Sequence, residues 1–220
     1  LLEIAHGGQT LLSSPVAVPL GDPAALGDGV RLTDLGQHRL RDLQQPERVW
    51  QLGAADLRAD FPPLRSLDAF THNLPVQRSS FIGREKERVA LRELVGAKRL
   101  LTITGVGGCG KTRLALDVAA QLLDPFTGGV FFVDLSTQVE PALVATTILG
   151  ALRLPAGGGS AVERLGEFLS DRHSLLLLDN CEHLLEACAD IVDRLLSACG
   201  ELAILATSRE PLGLEGEHVW

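Results

Sequence analysis

The residues best suited to chemistry lie in one glycine-rich stretch, GVGGCGKT, at positions 105–112. This stretch fits the phosphate-binding pattern G-x-x-x-x-G-K-[ST], known as Walker A. Its glycines let the backbone curl so that N–H groups point at phosphate oxygens. Lys111 supplies a cation for the β- and γ-phosphates, and the hydroxyl of Thr112 is a ligand for Mg²⁺. The predicted nucleotide-binding residues here are Gly105, Val106, Gly107, Gly108, Cys109, Gly110, Lys111, Thr112 and Arg113.

A site of this kind needs a carboxylate at the end of a second strand, which holds the hydration shell of a magnesium ion. Asp179 fits this requirement, because it follows four leucines in the segment SLLLLDN. An aspartate in this place could also cap the following helix. Behind a Walker A pattern we favour the metal role, so the predicted ligands of Mg²⁺ are Thr112 and Asp179.

Hydrolysis of a bound nucleotide also requires a group that orients or activates water. Many P-loop ATPases carry an acid directly after the metal-binding aspartate, but here that residue is Asn180. The nearest acid is Glu182, which fits this catalytic role and the role of an early helix acid equally well. Asp134, at the end of VFFVDL, is a further carboxylate at a strand end.

Arg209 follows the apolar run ELAILATS in the segment TSRE. If this strand lies next to the strand that leads into the glycine-rich loop, Arg209 can contact the γ-phosphate of a nucleotide. Otherwise Arg209 is a surface arginine at a strand end. The residues alone do not decide between these interpretations.

Apolar runs that alternate with helical patterns must position these residues. Strands are predicted at 99–104, 130–135, 174–179 and 201–208. Helices are predicted at LALDVAAQLL (114–123), PALVATTILGAL (141–152), VERLGEFLSD and EHLLEACADIVDRLLSAC (182–199). The strands are continuously apolar rather than alternating, which indicates a parallel sheet covered by helices on both faces.

Composition divides the chain into three predicted parts. Residues 79–220 form the α/β part, which we expect to be incomplete at its C-terminus. Residues 56–78 contain three prolines and little periodicity, which is typical of a linker. Residues 1–55 contain short strand candidates and indicate a small α+β piece, marginal for an independent core. The chain has no methionine, even at its start, so we expect a fragment of a longer protein.

The bulk properties exclude several classes of protein. The net charge is −8, so no bulk attraction to nucleic acid is expected. The longest apolar runs, such as 175–178, are too short to span a bilayer. No signal-peptide pattern is present, and we expect a cytoplasmic protein. The four cysteines form no CxxC and no zinc spacing, which favours buried thiols in a reducing compartment.

Four motifs in one order, FIGRE (81–85), GVGGCGKT, LLLLDN and ATSRE, resemble the STAND class of signal-transduction P-loop ATPases, in its NB-ARC-like branch. The spacings in LLLLDNCEHLL and ILATSREPLGLEGE are most similar to ATPases of large bacterial transcriptional regulators. The resemblance covers about residues 74–220. It implies a P-loop NTPase fold with the sensor strand between the P-loop and Walker B strands. It also implies ATP or ADP and Mg²⁺ as cofactors.

The resemblance assigns roles residue by residue. Arg209 matches the sensor arginine for the γ-phosphate. Asn180 departs from the many members that have a second acid, which puts fast hydrolysis in doubt. The residues that would lie against the adenine base and ribose are Phe81, Ile82, Gly83 and Arg84. The predicted catalytic residues are Lys111, Asp179, Glu182 and Arg209.

The N-terminal piece resembles a different class of protein. AHGGQTLLS and LTDLGQHRLRDLQQPERVWQL are similar to the closing third of a class III adenylate or guanylate cyclase domain. The metal-binding aspartates of those cyclases would lie before Leu1, so the resemblance implies no cyclase activity for this chain. An unrelated small α+β cap is the alternative.

These features predict an ATP-binding regulatory switch with slow hydrolysis, in a multidomain bacterial signalling or transcriptional regulator. One alternative is a nucleotide-binding scaffold without hydrolysis, and another is a fragment of a cyclase whose catalytic residues lie upstream. A P-loop kinase is disfavoured, because no arginine-rich lid follows the Walker B strand. The expected partners are nucleotide and other domains of the parent chain, with DNA bound only through segments outside this sequence. No membrane partner is expected, and the resemblance allows a nucleotide-dependent oligomer.

Overall fold

The computed structural model of the protein divides into two compact units. It describes residues 1–20, 29–38, 40, 46–54, 57–62, 64, 66, 71–76, 83–155 and 158–220. The first unit comprises residues 1–70 and 76–80, and the second comprises residues 71–75 and 81–220. Within the described part of the chain, no helix has the length and apolar character needed to cross a membrane.

The first unit is a small α+β structure, as the sequence predicts. Its elements are α1 (Ser14–Leu20), β1 (Thr10–Ser13), β2 (Arg31–His38) and β3 (Glu47–Gly53). The strands form an antiparallel sheet in the order β1-β3-β2. A small cluster of buried residues, Ile4, Val49 and Leu64, forms its described core, which agrees with the expectation of a marginal core.

The second unit contains a parallel sheet flanked by helices. Its strands are β4 (Leu100–Thr104), β5 (Gly129–Asp134), β6 (Ser174–Asp179), β7 (Leu202–Ser208) and β8 (His218–Val219). Its helices are α2 (Glu85–Ala97), α3 (Lys111–Gln121), α4 (Val144–Ala151), α5 (Ala161–Leu169) and α6 (Leu185–Ala198). The strand order is β5-β6-β7-β4-β8, and every pairing between these strands is parallel. The predicted α/β fold is confirmed, with β7 between β4 and β6.

The central strands are buried along their whole length, which explains their continuous apolar sequence. Every residue of β6 and of β7 is buried. Leu176 and Leu178 belong to one cluster with apolar residues of α4, α5 and α6. Strand alternation directs Leu175 and Leu177 to the opposite face, where α3 contacts β4, β6 and β7.

Two predicted helices begin later than their sequence pattern suggests. A short 3₁₀ turn, Pro141–Leu143, precedes α4, and another, Cys181–His183, precedes α6. The second turn follows Asn180, whose left-handed φ of 62° ends strand geometry abruptly. Glu182 therefore lies in the turn between β6 and α6, and not within the first turn of the helix.

Residues 71–75 lie along the free edge of β5, although the sequence places them in the predicted linker 56–78. His72 forms an isolated parallel bridge with Val130. The side chain of Asn73 donates from Nδ2 to Phe132 O at 2.8 Å, and its Oδ1 accepts from Phe132 N at 2.6 Å. This segment therefore provides hydrogen-bond partners for backbone groups that would otherwise be unpaired on an edge strand.

Candidate nucleotide-binding site

The glycine-rich loop connects β4 to α3 at the carboxyl edge of the sheet. Gly105, Gly108 and Gly110 have φ values of 153°, 77° and 89°, which side chains disfavour. These angles curl the loop over the start of α3, which begins at Lys111. The first backbone N–H groups of a helix have no partner within it, and with the helix dipole they attract an anion.

Lys111 places its charge against the loop. The side chain is only 9% exposed, and its Nζ donates to Gly105 O at 2.8 Å and to Val106 O at 3.1 Å. An ammonium group has three N–H donors, so one remains for a phosphate oxygen. The loop and Lys111 are thus suited to hold phosphates, as the Walker A pattern predicts.

Asp179 ends β6 and lies next to Thr112. Asp179 is 2% exposed, and its carboxylate accepts hydrogen bonds from the hydroxyls of Thr207 and Thr112. Burial raises the pKa of Asp179 above its usual value, and these two hydrogen bonds offset part of that rise. One hydroxyl and one carboxylate are hard oxygen donors, which fit an Mg²⁺ that keeps water and phosphate ligands.

Among the described residues, no group of three or more His, Cys, Asp or Glu side chains is placed to hold a metal ion. A magnesium ion here would therefore rely on Thr112 and Asp179 together with oxygens of the nucleotide and of water. This ligand set is typical of sites that hold Mg²⁺ through nucleotide phosphates.

Thr207 is a site residue that the sequence reasoning did not single out. Its buried Oγ1 donates to Asp179 Oδ1 at 2.5 Å and accepts from Asn180 N at 3.1 Å. It therefore fixes the carboxylate that ends β6 from the neighbouring strand β7. The available signal was a pair of polar residues, Thr207 and Ser208, at the end of an otherwise apolar buried strand and directly before Arg209.

Asn180 connects two carboxylates. Its Nδ2 donates to Asp179 Oδ2 at 2.9 Å, and its side chain also hydrogen-bonds Asp134. Desolvation by neighbouring atoms acts to raise the pKa of the exposed Asp134, but hydrogen bonds from Ser136 and Asn180 outweigh it and hold that pKa below its usual value. Asn180 is thus hydrogen-bonded to the carboxylates that end both β5 and β6.

Arg209 lies beside the glycine-rich loop, because β7 is the neighbour of β4. A Cβ atom built on Gly107 would lie 3.5 Å from Nη2 of Arg209. The Nε of Arg209 forms an ion pair with Glu182 Oε1 at 3.3 Å. The structure thus brings together three predicted elements: the P-loop, the arginine at the end of β7 and the acid after β6.

The predicted adenine-side residues are only partly described. Phe81 and Ile82 lie outside the described residues. Arg84 precedes α2 in a left-handed conformation with φ 60°, and its Nη2 donates to Cys109 O at 2.8 Å. Arg84 therefore contacts the P-loop backbone directly. Its predicted contact with a nucleotide base remains a prediction.

A family model described as an AAA domain matches residues 93–210. The match covers more than half of the chain and contains the glycine-rich loop, Asp179 and Arg209. The chain belongs to the AAA domain family. This AAA domain contains the glycine-rich loop after β4 and Asp179, the carboxylate that ends β6.

Curated relatives that match part of the chain include proteins of mycobacteria. An uncharacterized protein of Mycobacterium tuberculosis is 45% identical over 150 residues, which are 68% of this chain and 38% of that protein. A second protein of that organism, named "Putative HTH-type transcriptional regulator", is 48% identical over 131 residues, which are 59% of this chain and 15% of that protein. The chain spans less than two fifths of the length of these relatives.

Two solved structures are similar to part of the chain. The ORC2 protein of Aeropyrum pernix has a TM-score of 0.47 and 16% identity, covering 60% of this chain and 42% of that chain. A STAND protein with a tetratricopeptide repeat sensor from Pyrococcus horikoshii has a TM-score of 0.44 and 17% identity, covering 63% of this chain and 22% of that chain. Both scores are below 0.5, so neither structure assigns a role to a residue here.

Proposed function

We propose that this AAA domain is an ATP-binding regulatory switch that distinguishes ATP from ADP and hydrolyses ATP slowly. The observation that carries the proposal is the position of β7 between the P-loop strand and the strand of Asp179. This strand places Thr207 on the carboxylate of Asp179 and Arg209 beside Gly107. One strand thus contacts both halves of a site for a triphosphate and its magnesium ion.

Nucleotide binding would use the P-loop backbone and Lys111 for the phosphates. Thr112 and Asp179 would hold Mg²⁺, which when bound neutralises charge on the β- and γ-phosphates. Thr207 would keep the carboxylate of Asp179 turned toward the metal. Arg84 would steady the loop through its hydrogen bond to Cys109 O.

State sensing would use Arg209. Its guanidinium is paired with Glu182 but remains 65% exposed, so it can also reach a γ-phosphate, which ADP lacks. A hydrogen bond to a charged group contributes about 1.5–3 kcal/mol, which corresponds to roughly a 10- to 150-fold preference for ATP. When Arg209 binds a phosphate in place of Glu182, the turn before α6, which contains Glu182, would change.

A second candidate function is a nucleotide-binding scaffold without hydrolysis. Asn180 favours it, because an amide cannot accept a proton from water at this position. Release of phosphate from ATP by the purified protein separates the two functions: measurable turnover supports the switch with hydrolysis, and binding without turnover supports the scaffold.

The wider context is also a proposal. We infer that the domain is part of a bacterial signalling or transcriptional regulator, supported by the mycobacterial relative named "Putative HTH-type transcriptional regulator". Other domains of the parent chain would receive the signal, DNA would be bound only through segments outside this sequence, and the site would act in the cytoplasm. The N-terminal unit would be the remnant of a cyclase-like domain, and a nucleotide-dependent oligomer is part of the same proposal.

Arg209→Ala tests the proposed sensing. The ratio of the dissociation constants for Mg-ADP and Mg-ATP, measured by calorimetric titration, should fall about 10-fold or more. Arg194→Ala is the matched control, because Arg194 lies on α6 in an exposed ion pair with Asp190. An unaltered ratio in Arg209→Ala would show that this arginine is no sensor.

A further inference from the structure

Two carboxylates end neighbouring strands of the sheet at its nucleotide-binding edge. Asp134 is the last residue of β5, Asp179 is the last residue of β6, and the two are direct partners in the strand register. Since the strands are parallel, both side chains emerge at the same edge. The two carboxylates nevertheless have different surroundings, and this difference suggests different roles.

Asp179 is enclosed and fully engaged. It is 2% exposed, and it accepts hydrogen bonds from Thr207, Thr112 and Asn180. Asp134 is exposed, and among its hydrogen bonds is one from Ser136 N to Oδ1 at 2.9 Å. A carboxylate has about four lone-pair sites, so Asp134 retains the capacity to accept a hydrogen bond from water.

A chain of hydrogen bonds connects Asp134 to the phosphate-binding loop. Thr112, at the start of α3, hydrogen-bonds Asp179. Asn180 donates to Asp179 Oδ2 and hydrogen-bonds Asp134. The left-handed backbone of Asn180, with φ 62° and ψ 49°, turns its amide back toward the two strand ends. The amide therefore holds the exposed carboxylate at a fixed position relative to the predicted metal ligands.

Glu182, another acid near this edge, is less free to bind water. One of its carboxylate oxygens is paired with Arg209 at 3.3 Å. The other, Oε2, is buried and has no hydrogen-bond partner in the described part of the structure. Glu182 is therefore better placed to hold the arginine than to orient water.

We propose that Asp134 is the carboxylate that orients the attacking water in ATP hydrolysis, with Asn180 as the residue that positions it. In this arrangement the amide follows the predicted metal-binding aspartate, and the acid ends the adjacent strand. The proposal rests on the proposed function, because it assigns a catalytic residue for that ATPase activity.

In the reaction, the Asp134 carboxylate accepts a hydrogen bond from a water molecule. The water oxygen forms a bond to the γ-phosphorus while the bond between that phosphorus and the β–γ bridging oxygen breaks. The electron pair of the broken bond stays on the β-phosphate of ADP. The water proton held by Asp134 passes to the released phosphate, so water and ATP give ADP and inorganic phosphate.

Asp134→Asn in the whole chain is the first test. Steady-state phosphate release should fall roughly 100-fold or more, as is typical when a group that orients water is lost. The affinity for Mg-ATP, measured by calorimetric titration, should change less than about 3-fold, since Asp134 is not a predicted ligand of nucleotide or metal. Asp171→Asn is the matched control: it makes the same change at an exposed aspartate three residues before β6, and phosphate release should equal that of the wild type.

The exchanged double variant, Asp134→Asn with Asn180→Asp, is the second test. It places an acid after Asp179 and an amide at the end of β5. It should therefore hydrolyse ATP at least 10-fold faster than Asp134→Asn alone, because an acid after Asp179 should recover part of the roughly 100-fold acceleration that one positioned carboxylate supplies. If Asp134→Asn does not fold, the double variant, which retains one acid and one amide at this edge, is compared with the wild type instead: phosphate release within about 10-fold of the wild type supports the inference, and a loss of roughly 100-fold or more overturns it.

Several outcomes would overturn the inference. One is wild-type phosphate release in Asp134→Asn. Another is loss of turnover in Glu182→Gln with Asp134→Asn unaffected. A third is faster phosphate release in Asn180→Asp together with wild-type phosphate release in Asp134→Asn. This result would mean that turnover is slow because position 180 lacks an acid, and that Asp134 takes no part. ATP binding without any hydrolysis by the wild type would overturn this inference and leave nucleotide binding in place, whereas absence of ATP binding would instead defeat the proposed function itself.

Discussion

The hydroxyl of Thr207 fixes the predicted metal ligand, and Thr207→Val removes it with little change of side-chain shape. Thr207 Oγ1 donates to Asp179 and accepts from Asn180 N. A hydrogen bond to a charged group contributes about 1.5–3 kcal/mol, and a buried group left without a partner costs about 1–3 kcal/mol. Asn180 is only partly buried, so water can partly replace the hydrogen bond that Asn180 N loses. The free energy of unfolding of the second unit should fall by roughly 2–4 kcal/mol.

Thr102→Val is the matched control on the neighbouring strand β4. Thr102 is also fully buried, but its Oγ1 has no hydrogen-bond partner among the described residues. Removing an unsatisfied buried hydroxyl should leave the stability unchanged or raise it by about 1 kcal/mol. The same chemical change should thus lower the stability at Thr207 but not at Thr102.

Tryptophan fluorescence can follow the second unit alone. The chain has two tryptophans, Trp50 in the first unit and Trp220 in the second. Trp220 is hydrogen-bonded to Thr102 and Thr104 through its backbone, so in a Trp50→Phe background it reports the unfolding of the parallel sheet in urea. A loss below about 0.5 kcal/mol in Thr207→Val, or an equal loss in Thr102→Val, would refute the reasoning.

The effect of Thr207→Val should also depend on pH with a defined sign. Burial raises the pKa of Asp179 above its usual value of 3.8, so ionisation of Asp179 opposes folding. This penalty is absent below the unfolded pKa and grows as pH rises through the folded pKa. Loss of the hydrogen bond from Thr207 raises that pKa further, so the stability difference between wild type and variant should shrink as pH falls from about 7 toward about 4.

Two further substitutions test the sheet edge and the loop. Asn73→Ala should lower the urea stability reported by Trp220 by about 1–3 kcal/mol, because its hydrogen bonds to β5 are lost; an unchanged midpoint would show that residues 71–75 do not stabilise the sheet. Gly108→Ala should lower the free energy of unfolding by about 1–2 kcal/mol and weaken Mg-ATP binding, because Gly108 has a φ of 77°, which side chains disfavour. Steric overlap does not contribute, since a Cβ there would meet no atom within 4 Å. Gly150→Ala, in helix α4 with equal space, should instead stabilise by about 0.4–1 kcal/mol, and equal effects at both glycines would contradict this explanation.

The main strands could be predicted from the sequence because burial on both faces leaves a continuous apolar run. Each of the four predicted strands agrees with the structure to within one residue at either end. The strand β8 could not be predicted, because it has two residues and forms only where the chain returns to β4. The same holds for the docking of Asn73 on β5, which joins residues 59 positions apart.

The Walker A loop and Asp179 could be predicted because their residue types and order are characteristic of the chemistry. The contacts of Thr207 and of Asn180 with the carboxylates could not, since they depend on the register between strands that are distant in sequence. Neither residue carries a spacing signal of its own. The roles of Lys111, Glu182 and Arg209 remain predictions for the experiments above.

The most direct test of the central claim is calorimetric titration of the wild type and of Lys111→Ala with Mg-ATP. Lys98→Ala is the control, because Lys98 is an exposed lysine at the opposite, amino end of β4. The proposed switch predicts binding by the wild type and by Lys98→Ala, and loss of binding in Lys111→Ala. Equal affinity of all three proteins for Mg-ATP would contradict the assignment of residues 105–112 as the nucleotide site.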